Sequence, residues 1–490
     1  MKEMKPFHVL LFLLVSMLLL GAAGYFFPRE GIAVTADFSI RFPDPASFFT
    51  SKEQKKVDIS KIIALADAEE KVLENKADTA AEKEVEKIEA DAEVQLITNV
   101  QYKNKEDVPL EFFFDALQKL ATDNSTIRVL HYGDSQIEGD RISDYLRLKL
   151  QTQFGGSGPG FISAMPVAIS VGTKQAWSDN WDRYTIFTMK DKRVKHLNYG
   201  IAGGFCRFAP YKTVYDTSKY QNAWLRVTTN QNGGPKLATY NKIKLFYGGA
   251  QRKTSVDFYE NGVLHDIDSL ASGGTFNIQT FSLKQAPSNF EIKFKGKDSP
   301  DIYGLSLEGD GGVMVDNFGL RGSSGTFFNQ LNLLHLKQFY DYLNVKLIIM
   351  QFGGNALPSI KDSLQSVNFG RYLQSQIVSI RKIAPGASVL VIGPADMSIK
   401  DGENYVTHPQ LENLRDAIRR AAFNTNSAFF DMYDCMGGKN SMVSWVEAGI
   451  AAKDYIHFSS GGARKIATLL YTSIMNDYTK HLEKTVTSSR

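Results

Sequence analysis

Ser135 stands in VLHYGDSQIEGDR (129–141), where an apolar run gives way abruptly to Gly-Asp-Ser. Gly and Asp are common turn formers, so the tripeptide has a plain reading as a turn. It has a second reading as a nucleophile's address. A serine between a buried strand and a helix lies at the sheet edge where open α/β folds bind ligands. Its own N–H would sit at a helix N-terminus, suited to negative charge. A serine nucleophile needs a base, and the base needs a partner that orients it. AAKDYIHFSSGGARKIA (451–467) offers both, with Asp454 and His457 three apart just ahead of a C-terminal helical stretch. A D-x-x-H match alone fits a capping loop with a surface histidine equally well.

Acyl transfer also needs donors for a developing oxyanion. IIMQFGGNALP (348–358) ends an apolar strand in Gly353-Gly354-Asn355, and an Asn side-chain amide there is a suitable donor. VDNFGLRGSSG (315–325) supplies a Gly-x-x-Gly turn, Gly319 to Gly322, where glycine permits close backbone approach. NYGIAGG (198–204) has a similar shape. Gly322 is preferred because a helix and then the Asn355 strand follow it. Asp134, Glu138 and Asp140 offer carboxylates for a metal, but serine chemistry needs none, and no Cys/His spacing resembles a zinc site. FGGSGPGF (154–161) lacks the Gly-Lys-Ser/Thr ending of a phosphate loop and reads as a turn. No cofactor is expected. The other histidines, including His131, His335 and His408, read as structural or surface residues.

The elements that must hold these residues follow a repeating pattern. TIRVLHY (126–132), VKLIIMQF (345–352), ASVLVIG (387–393) and SAFFDMY (427–433) are apolar strands. A helical stretch at 111–121 precedes them, and others near 141–154, 368–383, 409–424 and 461–478 lie between or after them. That alternation predicts a parallel sheet covered on both faces. Between about 166 and 314 the texture changes to short, partly alternating runs such as AWLRVTT and NFEIKFKG, the signature of an antiparallel β-sandwich. AWSDNWDRY (176–184) within it offers aromatics that could stack on sugar rings, although sandwich packing is the simpler reading.

The chain has 490 residues, enough for about two or three domains. With 56 basic and 53 acidic residues its net charge is only +3, which gives no reason to expect nucleic acid. Cys206 and Cys435 read as two buried free thiols rather than a bonded pair. The N-terminus, MKEMKPFHVLLFLLVSMLLLGAAGYFFPRE, is apolar from about 7 to 27. About 20 apolar residues cross a bilayer, and Lys2 and Lys5 ahead of the run favour a cytoplasmic N-terminus. An uncleaved anchor is preferred, with Gly21-Ala22-Ala23 as a cleavage site the alternative. Both readings export the rest of the chain. Residues 28–106, rich in Ala, Glu and Lys between 66 and 93, read as a charged spacer.

Ser135, Gly322, Asn355 and His457, in that order and each at an element end, resemble the SGNH (GDSL-type) hydrolase superfamily. Two departures stand out: Gln136 replaces the usual Leu after Gly-Asp-Ser, and Ala356 replaces the Asp that often follows the Asn. Both bear on substrate preference. GDSQIEGDRISDYLRLKLQTQFGGSGPGF, a β insertion, and then IYGLSLEGDGGVMVDNFGLRGSSG are similar to bacterial peptidoglycan O-acetylesterases. The resemblance implies a flavodoxin-like three-layer α/β hydrolase domain (107–165 and 315–490), interrupted by a carbohydrate-binding-like sandwich (166–314). It implies a triad of Ser135, His457 and Asp454, and an oxyanion hole of Ser135, Gly322 and Asn355. The expected activity is removal of O-acetyl groups from a cell-envelope glycan, most simply the C6 hydroxyl of muramic acid in peptidoglycan. The expected location is the periplasmic side of an inner membrane, anchored by residues 7–27. An O-acetyltransferase using the same site and a tethered glycan-binding protein without turnover are the alternatives.

Overall fold

The structure is a computed structural model that describes residues 6–27, 32–35, 38–40, 54–74, 99–104, 107–211, 219–230, 234 and 236–488. It divides into two units. The first, Met1–Lys55 with Lys400–Val406, contains helix α1 (Pro6–Phe26) and a two-stranded antiparallel pair, Ile32–Thr35 with Phe38–Ile40. Phe7–Phe26 is long and apolar enough to cross a membrane. Much of the charged run, 75–93, lies outside the described residues.

The second unit, Lys56–Ile399 with Thr407–Arg490, is built on a five-stranded parallel sheet. Its strands are β1 (Thr126–Gly133), β2 (Gly312–Gly319), β3 (Val345–Gln351), β4 (Ser388–Ile392) and β5 (Ala428–Phe430). Their spatial order is β2-β1-β3-β4-β5. In such a sheet the strand order reverses beside β1, and ligands bind at that crevice outside the carboxyl ends. The registers fix the crevice closely. Gly133 of β1 is level with Gly319 of β2 and with Gln351 of β3. Three chain segments therefore leave the sheet at one height, carrying Ser135, Gly322 and Asn355 with them.

Successive residues of β1 point to opposite faces. Leu130 and Tyr132 join a core with Leu336 and Phe339 of α5 (Leu333–Tyr342), Leu373 and Ile377 of α6 (Ser363–Ile383), and Leu414 and Ile418 of α7 (Leu411–Asn424). Ile127 and Val129 join a second core on the other face. Its helices are α2 (Ser60–Glu74), α3 (Glu111–Lys119), α4 (Ser143–Phe154), α8 (Ser441–Glu447) and α9 (Ser460–Ser488). In α7 the buried Leu411, Leu414, Ala417, Ile418, Ala421 and Ala422 recur at helical spacing, so one stripe faces the sheet. Asn332 and Asp362 cap the starts of α5 and α6, their side chains accepting backbone N–H bonds.

The insertion consists of two antiparallel sheets. One contains Gln221–Thr229, Thr254–Glu260 and Asn289–Gly296; the other contains Lys242–Gly248 and Asp301–Glu308. Leu225, Phe258 and Ile292 of the first share a core with Ile243, Leu245 and Ile302 of the second. A buried ionic cluster joins the insertion to the parallel sheet. Arg128 of β1 pairs with Asp316 of β2 and Glu308 of the insertion, and Asp316 also accepts the Phe161 N–H at 2.8 Å.

Several expectations need adjustment. The antiparallel strands already start at Gly160–Ile162, and Gly312–Gly319 belongs to the parallel sheet, so the limits of 166 and 314 shift by a few residues. Strand β5 stops at Phe430, because Asp431 caps a short helical turn, Met432–Cys435. Residues 56–74 do not behave as a spacer. Ile59, Ile62, Leu65 and Ala66 are buried against the body, and Lys465 and Arg464 of α9 pair with Asp67 and Glu70. Residues 99–104 also dock, with Gln101 bridging Phe429 of β5. Trp181 of the aromatic stretch is buried against Phe208 and Phe294 and serves packing. Cys206 and Cys435 are buried free thiols, and burial pushes the Cys206 thiol up to about 12.

Candidate active site

The apolar residues of β1 bury the strand up to Gly133, where any side chain would be crowded. A Cβ there would stand 2.9 Å from the Ile137 side chain and 3.0 Å from the Gln351 carbonyl oxygen. The chain then turns sharply. Asp134 goes inward and is 4% exposed, while Ser135 is half-buried at the sheet edge. One Asp134 oxygen accepts the Gln136 N–H at 3.0 Å, and the carboxylate also accepts the Asn355 backbone N–H. Burial pushes the Asp134 carboxyl up to about 6, although those N–H groups and the nearby His457 pull the other way. Asp134 thus joins the turn after β1 to the turn after β3.

The Ser135 Oγ lies 2.9 Å from His457 Nε2, and His457 Nδ1 lies 2.8 Å from Asp454 Oδ2. Asp454 Oδ1 accepts the backbone N–H groups of Ile456 at 2.9 Å and His457 at 3.0 Å. Burial alone would raise the Asp454 carboxyl, but its bonds to the His457 N–H and ring and to the Ile456 N–H hold it below its usual value. The residues are open to water: the Asp454 and His457 side chains are 46% and 30% exposed. An imidazole set between a hydroxyl and an ionised carboxylate can take the hydroxyl proton and hold the resulting charge.

His457 does not follow a strand. It lies in the loop between α8 and α9, closed on itself by an Ala452 N–H bond to the His457 carbonyl at 2.8 Å. Tyr455 takes a left-handed conformation (φ 59°) inside this loop.

Asn355 and Ser135 line one cavity of about 170 Å³ with His457 and Asp134, walled by Met397 and Met432. The Asn355 Nδ2 donates one bond, to the Ser323 carbonyl at 3.2 Å. Gly322 is not among the residues lining that cavity. It sits one residue from Ser323 in a turn closed by the Ser323 N–H and Leu320 carbonyl at 2.9 Å, with φ 79°. Among the described residues its N–H has no backbone partner, and a Cβ on it would meet nothing within 4 Å. The other glycine turn, 198–204, lies against the Tyr303 ring, where a Cβ on Gly200 would be 2.7 Å away.

The three carboxylates considered for a metal have separate partners. Asp134 faces backbone N–H groups, Glu138 pairs with Arg321 at 2.6 Å, and Asp140 pairs with Arg147 at 2.6 Å. His131 is buried between Gln351 and Ser143, and burial pushes its imidazole down to about 4.

The backbone superposes on a solved structure of peptidoglycan O-acetylesterase over 77% of this chain and 98% of that one, with TM-score 0.58 and 22% identity. The chain shares its fold with that structure. An acetyl xylan esterase overlaps with 33% of this chain and 81% of its own, at 16% identity and TM-score 0.26. A family two carbohydrate esterase from Clostridium thermocellum, in complex with cellohexaose, overlaps with 52% and 92%, at 9% identity and TM-score 0.21. No family model and no curated protein matches the sequence.

Within this fold two side chains support the site in a way the sequence did not reveal. Gln136 donates to the Ile456 carbonyl at 2.6 Å, and Arg141 donates to the carbonyls of Ser135 and Glu138. The only sequence signal for Gln136 was its departure from the usual Leu. Arg141 had none, because its partners are backbone carbonyls, which no residue type marks, one of them on Phe458 of the distant His457 loop.

Proposed function

We propose that this protein is a serine esterase that removes O-acetyl groups from a cell-envelope glycan, with peptidoglycan as the preferred substrate. The reading is carried by the hydrogen-bonded series Ser135 Oγ, His457 Nε2, His457 Nδ1 and Asp454 Oδ2, at 2.9 and 2.8 Å. His457 takes the Ser135 proton as Oγ attacks the acetyl carbonyl. The backbone N–H groups of Ser135 and Gly322, with the Asn355 amide, hold the oxyanion. His457 then returns the proton to the departing sugar oxygen, leaving Ser135 acetylated. Water enters, gives a proton to His457, and attacks the acetyl carbon. Acetate leaves as the proton returns to Ser135.

The exposure of Asp454 and His457 suits hydrolysis, because the general base stands open to water. The small cavity beside Ser135, walled by Met397 and Met432, suits a short acyl group. The insertion is proposed to help present the glycan, since its Met165, Gln175 and Phe187 share a cleft with Glu138 and Gly139 of the serine turn. Peptidoglycan is chosen because the chain is similar, over 77% of its length, to a peptidoglycan O-acetylesterase. The apolar Phe7–Phe26 segment suits a membrane-anchored enzyme facing the envelope.

The test is acetate release from O-acetylated peptidoglycan by the full-length protein in detergent, with Ser135→Ala beside it. Serine-dependent free acetate supports the reading. Cleavage of a small acetyl ester without release from peptidoglycan removes the substrate and keeps the mechanism. Acetate appearing only on an added acceptor glycan makes the protein a transferase.

A further inference from the structure

We propose that Gln136 is a positioning residue that holds His457 against Ser135, an inference that rests on the serine-esterase reading above. Gln136 directly follows Ser135 and is buried. Both ends of its amide are engaged with the histidine loop. Nε2 donates to the Ile456 carbonyl at 2.6 Å, and Oε1 accepts the Phe458 N–H at the longer distance of 3.4 Å. These are the two residues that flank His457. The partners also fix which end of the amide is which, since a carbonyl accepts and an N–H donates.

The loop has need of such a hold. It joins two helices, includes the left-handed Tyr455, and leaves Asp454 half exposed. Its internal bonds shape the Asp454–His457 pair but do not set where that pair stands relative to the serine turn. Gln136 makes that connection from a backbone which is itself fixed, because Asp134 accepts the Gln136 N–H at 3.0 Å. Arg141 reinforces it from the same turn, donating to the Ser135 carbonyl and, at 3.5 Å, to that of Phe458. A leucine at 136 would fill the space and make neither bond. The Gln at this position therefore substitutes side-chain hydrogen bonds for the strand that His457 lacks.

The experiment compares wild type, Gln136→Met and Ser135→Ala as full-length protein in detergent. Methionine keeps length and apolar bulk and removes both hydrogen bonds. On a small acetyl ester, Gln136→Met is expected to lower kcat about 10- to 100-fold with KM within about twofold, since small misplacements of reacting groups cost that much. Amide exchange is expected to rise at 455–458 and to stay unchanged in β4. Gln136→Asn, one methylene short, is expected to match Gln136→Met. A kcat within twofold of wild type overturns the proposal whatever the exchange does, and so does a change confined to KM. Loss of protection in β4 as well marks a general folding defect and also overturns it. If wild type turns over no ester, the esterase reading fails. Exchange in Gln136→Met then decides the clamp alone, with unchanged protection at 455–458 overturning it.

Discussion

Nε2 of His457 lies 2.9 Å from Oγ of Ser135, although His457 belongs to a loop between two helices and Ser135 to a strand end. The contact depends on three separate supports. The parallel sheet fixes Ser135, the Asp454 carboxylate shapes the histidine loop, and side chains from the serine turn reach across to that loop. Each support makes its own prediction.

Asp454→Asn and Asp454→Ala should differ. Asn keeps an acceptor for the Ile456 and His457 N–H groups, so the loop should retain its shape while the ring loses its charged partner. The expected loss in kcat/KM is about 10²- to 10⁴-fold, with unfolding unchanged. Alanine also removes the acceptor for two backbone N–H groups, and faster amide exchange at 456–457 should accompany its loss of activity.

Gly322→Ala tests the oxyanion assignment without steric interference. A Cβ there meets nothing within 4 Å, but φ 79° disfavours an L-residue, so the backbone N–H should turn away. Asn355→Ala removes the proposed side-chain donor. Each is expected to lower kcat by about 10²-fold with a smaller change in KM. A full rate in Gly322→Ala would remove that N–H from the mechanism.

The buried Asp134 predicts an unusual stability profile. Its carboxyl is raised from 3.8 to about 6 in the folded chain, so the native state binds the extra proton between those values. Its contribution therefore becomes less favourable as pH rises from about 4 to 6, by on the order of 3 kcal/mol once both values are passed. Asp134→Asn should flatten this dependence, measured by urea unfolding at pH 4, 5, 6 and 7. The activity profile should behave differently. Asp454 is held below its usual value and stays ionised throughout that range, so its carboxylate should add nothing to a fall of kcat/KM in acid.

The docked helix α2 predicts where the folded body begins. A fragment starting at residue 56 retains the burial of Ile59, Ile62 and Leu65 and the pairs with Arg464 and Lys465. A fragment starting at 100 loses them and exposes their binding face on α9. The shorter fragment is expected to melt several degrees lower, by roughly 2–4 °C per kcal/mol lost.

Much of the site was legible because its parts are local. Apolar strands ending in Gly-Asp-Ser and Gly-Gly-Asn announce themselves by composition, and chain order links them to D-x-x-H. The register that brings Gly133, Gly319 and Gln351 level could not be read, since nothing in GVMVDNFG distinguishes an edge strand from the turn that follows it. Gln136 and Arg141 were illegible as supports for a related reason. The Ile456 partner of Gln136 lies 320 positions away and the Phe458 partner of Arg141 lies 317 away, and only folding brings them into contact. The docking of α2 was hidden by its own charges, which mask the apolar Ile62, Leu65 and Ala66.

The most direct test of the central claim is to trap the acyl-enzyme. Full-length protein is mixed with a small acetyl ester, quenched in acid within milliseconds, and digested for mass spectrometry. An acetyl group on Ser135, absent from Ser135→Ala and lost with time in wild type, is the predicted result. Turnover without acetylation of Ser135, or acetylation that persists in Ser135→Ala at full rate, would contradict the account.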